Sequence, residues 1–198
     1  MSLELFNSLA TFGTFLVIAA TATAALIQLR HARSANLIEG INEFTRTFAT
    51  PEFQAAQRFV LVELPEKWKD PVFRYQYFTR SARTTENQPL VTKINVVGNT
   101  YENYGLLVKR LLVDRGMALE LFSGNAVGAW ESLAPLLAGN RRLAGNALWE
   151  NFEYFVVLSQ DWLAAHPAGT YPPGMRRIAL VDELREADAE YAASLATA

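Results

Sequence analysis

Three glutamates are the strongest candidates in the sequence for catalysis or for binding a cation. Glu150 and Glu153 lie three residues apart in the segment WENFEYF, and Glu102 lies in the segment NTYENYG. Two carboxylates held together away from water could act as a general acid and a general base, or could bind a hard cation. Glutamates on helices more often form ion pairs, so the sequence predicts salt bridges for all three, with catalysis as the alternative. The cations available for such pairs are Lys109, Arg110, Arg141 and Arg142.

The other residue types that support catalysis are sparse. Cysteine is absent, which removes disulfides, thiol nucleophiles and thiolate-bound zinc. The two histidines, His31 and His166, lie far apart, and no Glu-x-x-His pair of the kind found in di-iron bundles occurs. The glycine-rich nucleotide motifs and the HExxH zinc motif are also missing. We therefore predict no catalytic residue, no cofactor and no metal.

A row of asparagines offers a weaker candidate for binding. Asn95, Asn99 and Asn103 stand four residues apart and share one helix face. Such a row could bind a ligand or a polar partner, but it is also typical of the solvent-facing side of an amphipathic helix, which we favour. The net charge of −2 gives no electrostatic basis for nucleic-acid binding, so no nucleic-acid partner is expected.

Helices must position all of these residues. Apolar residues recur at steps of three and four over most of the chain, and no period-two alternation long enough for a strand stands out. Thr50 and Asp70 each precede a proline, which is the pattern of an N-cap before the first helical turn. Further predicted starts are Pro89, Asn125 and Asn146, and predicted ends are Gly116 and His166, followed by the loop PAGTYPPG and a last helix over about 180–195.

The first part of the chain has a different composition. From Leu5 to Leu29 there are 25 consecutive residues without a charge. A helix of this length spans roughly 37 Å, against about 30 Å for the hydrocarbon core of a bilayer. A cleaved signal peptide would need a basic start and a shorter apolar core, and a buried core helix is the remaining alternative. The sequence predicts an all-α protein: a transmembrane helix (about 5–29) with a juxtamembrane stalk in 1–49, then a bundle of about five to six helices in 50–198.

The charges that flank this segment predict its orientation. No lysine or arginine precedes Arg30, whereas Arg30 and Arg33 follow the apolar stretch directly. By the positive-inside rule the N-terminus then lies outside and the following domain lies in the cytoplasm. The predicted location is the inner membrane of the cell, with Arg30 and Arg33 as the membrane flank and the lipid bilayer as a partner.

One face of the apolar segment is polar or small. Asn7, Thr11, Thr14, Thr21 and Gln28 follow one another at steps of four, three, seven and seven, and the segment AATATAA lies beside them. Helices in lipid hide such faces against one another, so this face predicts a homo-oligomer. The alternatives are that the threonines bond to carbonyls of their own helix, or that the face lines a pore.

The chain resembles a known family in several segments. These are ALIQLRHARSANLIEGINEF, YENYGLLVKRLLVDRGMALELF, a W-x4-P-L motif at Trp130 with Arg141-Arg142, and WENFEYF, which together extend over roughly 10–160. It is similar to an uncharacterised bacterial family of small membrane-anchored helical proteins classed as a domain of unknown function. That family often has acids near Glu102 and Asp114 and an aromatic residue at Trp130. The resemblance implies the same topology and no activity.

These observations predict a membrane-anchored interaction or scaffold protein that associates with itself and presents its helical domain to an unknown cytoplasmic protein. The first alternative is a membrane-surface enzyme that uses Glu102, Glu150 and Glu153. The second is a membrane effector or channel subunit. If the first alternative holds, the three carboxylates should converge in a cavity; otherwise they should be paired or exposed to solvent.

Overall fold

The computed structural model describes residues 3–196, without the side chains of residues 3–6, 8–10, 34, 36 and 196. These residues form helices and contain no β-strand, which confirms the all-α prediction. The α-helices are α1 (Leu3–Phe48), α2 (Pro51–Arg58), α3 (Leu64–Lys67), α4 (Pro71–Phe78), α5 (Asn87–Lys109), α6 (Arg115–Ala144), α7 (Glu150–Ala165) and α8 (Arg185–Ala196). A π-helical turn, Phe59–Glu63, joins α2 to α3, and a 3-10 turn, Arg80–Ala82, follows α4. Residues 1, 2, 197 and 198, the outer ends of the two predicted domains, lie outside the described part.

The chain divides into two compact units, residues 1–167 and 168–198. The second unit begins with the predicted proline-rich loop, in which the Arg177 guanidinium lies 4.7 Å from the ring centroid of Tyr171 and donates a hydrogen bond to the Ala168 carbonyl at 2.9 Å. The helix predicted from about residue 180 begins at Arg185. Every described side chain of this unit, from residue 168 to residue 195, is exposed.

Side-chain caps begin α2, α4 and α6, because the first N–H groups of a helix have no partner within it. The predicted caps are confirmed: Thr50 Oγ1 accepts from the Phe53 N–H at 3.2 Å and Asp70 Oδ1 accepts from the Val72 N–H at 2.8 Å. Asp114 caps α6 in the same way by accepting from the Met117 N–H at 2.8 Å. The predicted stop at His166 is also confirmed, since α7 ends at Ala165.

The structure corrects the predicted division of the region after Tyr104. Gly116 does not end a helix but lies in the first turn of α6, and Asn125 is an interior residue of α6 rather than a cap. The physical reason is burial: α6 runs unbroken to Ala144 because its apolar face is covered by its neighbours, while Gly124, Asn125 and Pro135 lie on its exposed side. Asn146 likewise does not open α7, which begins at Glu150.

A leucine instead of the predicted glycine takes the left-handed position that closes the end of α5. Leu111 has φ of 56°, a left-handed conformation that glycine adopts most easily at this position. Its N–H donates to the Val108 carbonyl at 3.1 Å, and the Leu112 N–H donates to the Leu107 carbonyl at 3.0 Å. This pair of bonds is the Schellman motif, which satisfies the last carbonyls of the helix.

The last turns of α1 pack inside the bundle. Phe44 lies 3.5 Å from Tyr104 between ring centroids, and Phe48 lies 5.4 Å from Tyr101 and 4.5 Å from Phe122. These residues, with α6 and α7, form one aromatic core. Burial raises the pKa of the Tyr101 and Tyr104 phenols above the usual value, so both are neutral. The predicted continuation of α1 beyond its apolar part is therefore present, and its end is a structural part of the core.

Candidate functional site

The apolar part of α1 is exposed along its whole described length. From residue 11 to residue 33 every described side chain is exposed, including Phe15 at 63% and Val17 at 66%. Among the described residues, α1 is the one helix whose length and composition suffice to cross a membrane. Within residues 3–167, no described side chain outside this segment covers its surface. An exposed apolar surface of this extent is a candidate for contact with lipid or with protein.

The residues predicted to form an oligomerisation face are all exposed on this helix. Thr11 Oγ1 donates to the Asn7 carbonyl at 2.9 Å, and Thr21 Oγ1 donates to the Val17 carbonyl at 2.7 Å. The hydroxyl protons of these threonines are thus used within the helix, as one alternative anticipated. Gln28 ends the face, and the predicted flank, Arg30 and Arg33, is exposed directly after it.

A second polar arrangement lies where α7 begins. Glu102, on α5, accepts three hydrogen bonds: from the Asn151 N–H at 3.0 Å, the Phe152 N–H at 2.9 Å and the Asn151 side-chain amide at 2.7 Å. Trp149 precedes α7 in a left-handed conformation and offers no side-chain cap. Glu102 therefore supplies from a neighbouring helix the acceptors that an N-cap residue normally provides.

Two glycines allow α7 to lie against α5 at this point. A Cβ on Gly105 would come within 1.9 Å of the Asn151 carbonyl oxygen, and a Cβ on Gly98 would come within 2.0 Å of the Trp149 ring. The Trp149 indole also donates to Asn99 Oδ1 at 3.0 Å. Sequence reasoning missed this contact, although Gly98, Glu102 and Gly105 stand at steps of four and three and so form a stripe on α5.

The remaining candidate carboxylates pair with cations. Glu153 Oε2 lies 2.7 Å from Arg141 Nη1, and Glu150 Oε1 lies 3.9 Å from Lys109 Nζ. Arg141 also donates from Nε to the Leu148 carbonyl at 3.0 Å, which holds the α6–α7 connection. The salt bridges predicted for Glu150 and Glu153 are confirmed. The one predicted for Glu102 is wrong: among the described ion pairs it has none, because its carboxylate accepts from Asn151 and Phe152 instead.

The other sequence candidates also have structural surroundings. Asn95, Asn99 and Asn103 are exposed, as predicted for a solvent-facing row, and Asn99 is used by Trp149. The His166 ring stacks on Trp162 with 4.1 Å between centroids, and its Nδ1 lies 2.8 Å from the Trp162 carbonyl. Among the described residues no three metal-binding side chains come together. The geometry around Glu102 holds helices in place, and the exposed part of α1 is the stronger functional candidate.

The capping role of Glu102 leads to a stability prediction. In Glu102→Ala the N–H groups of Asn151 and Phe152 lose their acceptor, so we expect the free energy of unfolding to fall by about 2 kcal/mol. Glu102→Gln keeps one acceptor oxygen and should lose about half as much. Urea unfolding followed by circular dichroism in detergent micelles measures both. Glu131→Ala, an exposed change on α6, is the control and should have little effect; an equal loss in all three variants would contradict the capping role.

Fold and site together define a class of protein: an all-α bundle whose first helix continues as an exposed apolar segment. A family model for the domain of unknown function DUF4760 matches residues 15–159, which is most of the chain. The chain belongs to this family, which confirms the resemblance at the level of a domain-of-unknown-function family. The match extends from within the apolar part of α1 into α7. No curated protein and no solved structure matches the chain.

Proposed function

We propose that the chain is a membrane-anchored helical interaction protein. In this proposal α1 spans the bilayer over about residues 5–29, associates with α1 of another copy, and carries a bundle that binds a cytoplasmic protein. The observation that supports the proposal most strongly is the complete exposure of the apolar part of α1, although the same helix ends inside the core.

The energetic case for lipid around α1 rests on its large side chains. Those exposed between residues 11 and 29 are Phe12, Phe15, Leu16, Val17, Ile18, Leu26, Ile27 and Leu29. Each is half or more exposed, so its transfer out of water gains about 1–2 kcal/mol, or on the order of 10 kcal/mol together. This free energy is comparable to the free energy of unfolding of a typical domain. Insertion of α1 into a bilayer gains it without any further protein contact.

The flanking charges favour an N-out orientation, and reporter fusions test it. With the reporter at the C-terminus in a bacterial host, we expect a fluorescent protein to be active and alkaline phosphatase to be inactive, because Arg30 and Arg33 hold the following domain inside. The chain should also stay in the membrane fraction after alkaline extraction. Replacing Arg30 and Arg33 by alanine should produce mixed orientations, whereas Arg176→Ala with Arg177→Ala should not. Strong phosphatase activity in the unmodified fusion would overturn the orientation.

Self-association through the polar face is the second part of the proposal. Because Thr11 and Thr21 already donate to their own helix, most of the association energy must come from the Asn7 and Gln28 amides and from close packing. An amide hydrogen bond between helices in lipid contributes about 0.6–2 kcal/mol. Ala22 and Ala25, the small residues of the segment AATATAA that line the same side of α1 as Thr21, allow two helix backbones to approach closely at the same depth.

A matched set of threonine substitutions tests this face. Thr14→Leu with Thr21→Leu should weaken association about tenfold, because the added bulk separates the two backbones. Thr23→Leu is the control: Thr23 makes the same kind of bond, to the Ala19 carbonyl at 2.9 Å, but lies on the opposite side of α1 with Leu16 and Leu26. Energy transfer between labelled copies in vesicles measures the association. Equal effects on both faces, or a monomer throughout, would contradict the proposed interface.

A further inference from the structure

The turn between α5 and α6 exposes two leucines between two arginines. Leu111 is 60% exposed and Leu112 is 55% exposed, while Arg110 and Arg115 on either side are exposed as well. Val113, the next residue, is buried and anchors the turn to the bundle. Residues 110–115 include Asp114 beside the two arginines and so carry a net charge of +1, which gives the turn an exposed apolar tip with a basic rim.

Contacts along α5 show where this turn lies. Tyr101 contacts Phe48, Tyr104 contacts Phe44, and Val113 lies against Gly40, where a Cβ would meet its Cγ1 at 2.7 Å. Helix α5 is therefore antiparallel to the last turns of α1. Helix α5 runs back toward the apolar segment, and the α5–α6 turn is at the end of the bundle from which that segment emerges.

Neighbouring residues extend the apolar tip on to α1. An open cleft of about 230 Å³ beside the turn is lined by Leu37, Ile38, Asp114 and Met117. Ile38 on α1 and Met117 on α6 are both exposed, so apolar surface is present on either side of this cleft. The same end of the molecule thus carries the exposed leucines, this cleft and the basic flank of α1.

Leu111 also occupies an unfavourable conformation. Its φ of 56° places a branched side chain where glycine is usual. Glycine at this position would form the same backbone hydrogen bonds of the Schellman motif. Here the residue in the left-handed conformation is a leucine, and its side chain is exposed. Strain of this kind at an exposed position indicates a use for the side chain outside the fold.

We propose that the α5–α6 turn is a second membrane contact, in which Leu111 and Leu112 enter the interfacial layer of the bilayer and Arg110 and Arg115 bind anionic lipid headgroups. The inference rests on the proposed function, since it requires α1 to span the bilayer. The basic rim matches an anionic cytoplasmic leaflet, and each arginine near such a surface is attracted to it.

The dimensions of α1 allow the contact. Eleven residues separate Leu29 from Gly40, which places the turn about 16 Å along the axis from the end of the uncharged stretch. A stretch of roughly 37 Å fits a hydrocarbon core of about 30 Å by tilting. With an offset of about 10 Å between packed helices, a tilt of about 30° toward the turn lowers it to about 9 Å above the hydrocarbon. The headgroup layer is about 5–8 Å thick, so the leucine side chains reach it.

Fluorescent labelling tests the contact in the full chain, which has no cysteine of its own. Single substitutions Leu112→Cys, Met117→Cys, Leu16→Cys and Asn95→Cys are labelled with an environment-sensitive dye and reconstituted in vesicles of phosphatidylcholine and phosphatidylglycerol. Spin-labelled lipids quench the dye at the headgroup or deep in the acyl chains. Leu16→Cys reports the proposed span, and Asn95→Cys reports an exposed site far along α5. Circular dichroism melting shows that each labelled chain is folded.

We expect the headgroup quencher to reduce the fluorescence of Leu112→Cys and Met117→Cys at least about twofold more than that of Asn95→Cys. The acyl-chain quencher should act mainly on Leu16→Cys. Omitting phosphatidylglycerol, or adding Arg110→Gln with Arg115→Gln, should lower the quenching at Leu112→Cys and leave Leu16→Cys unchanged. An unchanged signal at Leu112→Cys in these last two tests would overturn the role of the arginines.

Two other results separate the failure of this inference from that of the proposed function. Quenching at Leu16→Cys without quenching at Leu112→Cys or Met117→Cys overturns the second contact and leaves the span in place. No quenching at Leu16→Cys overturns the span itself. If Leu112→Cys is shielded from aqueous iodide but not quenched by lipid, protein covers the turn, and the lipid contact is wrong.

Discussion

Gly105→Ala should destabilise the bundle by about 3 kcal/mol, the largest effect that we expect from a single methyl group. The added Cβ would meet the Asn151 carbonyl oxygen at 1.9 Å, and a backbone atom cannot rotate away as a side chain can. Helices α5 and α7 must therefore separate, which also lengthens the hydrogen bonds that Glu102 accepts. Overpacking of this kind costs about 1–3 kcal/mol, and the strained cap adds to it.

The matched control is Gly124→Ala on α6. No atom lies within 4 Å of a Cβ at Gly124, and the residue is exposed inside a helix. Alanine there should raise the free energy of unfolding by about 0.5–1 kcal/mol, since glycine is the poorer helix former. Thermal melting in detergent should then show shifts of opposite sign, a fall of about 6–12 °C for Gly105→Ala and a rise of about 1–4 °C for Gly124→Ala. A Gly105→Ala variant that melts like the unmodified chain would mean that α7 does not lie against α5 at this point.

The second large effect concerns where the bundle begins. A fragment of residues 30–198 keeps Ile41, Phe44 and Phe48, so it should be soluble and should melt cooperatively. A fragment of residues 50–198, the domain predicted from the sequence, loses all three. Each large buried side chain contributes about 2–5 kcal/mol, so their joint loss approaches the total stability of a domain.

Circular dichroism and one-dimensional proton NMR of the two purified fragments decide between these boundaries. We expect dispersed signals and a sharp transition for residues 30–198, and neither for residues 50–198. A triple variant of the longer fragment, Ile41→Ala with Phe44→Ala and Phe48→Ala, is the matched control and should behave like the shorter one. If both fragments fold equally well, the end of α1 is only a stalk, and the boundary near residue 50 is right.

Local signals in the sequence predicted the helix ends that depend on a single side chain. Thr50 and Asp70 cap their helices because a short oxygen-bearing side chain before proline has few other roles. The loop after His166 was predictable for the same reason, since its prolines cannot continue a helix. These features need no information about the rest of the fold.

Tertiary contacts decided what the sequence left open. Gly116 and Asn125 resemble helix boundaries, but the covered apolar face of α6 keeps the helix intact through both. Leu111 gives no sign in the sequence of its left-handed backbone, because leucine is not a residue that favours this conformation. The role of Glu102 depends on residues about 50 positions away, so periodicity on its own helix could not reveal it.

The unbroken course of α1 has a mechanical consequence. From Leu3 to Phe48 the chain forms one helix without an intervening turn or proline, so no loop permits rotation between its apolar part and the core. Each residue of an α-helix advances the direction of its side chains by about 100°. The number of residues between Leu29 and Phe44 therefore determines how the bundle is rotated about the α1 axis relative to the apolar part of α1. One residue inserted after Arg33 would rotate the α5–α6 turn by about 100° about the α1 axis. Seven inserted residues would restore its orientation almost fully and would move it about 10 Å farther along that axis from the apolar part.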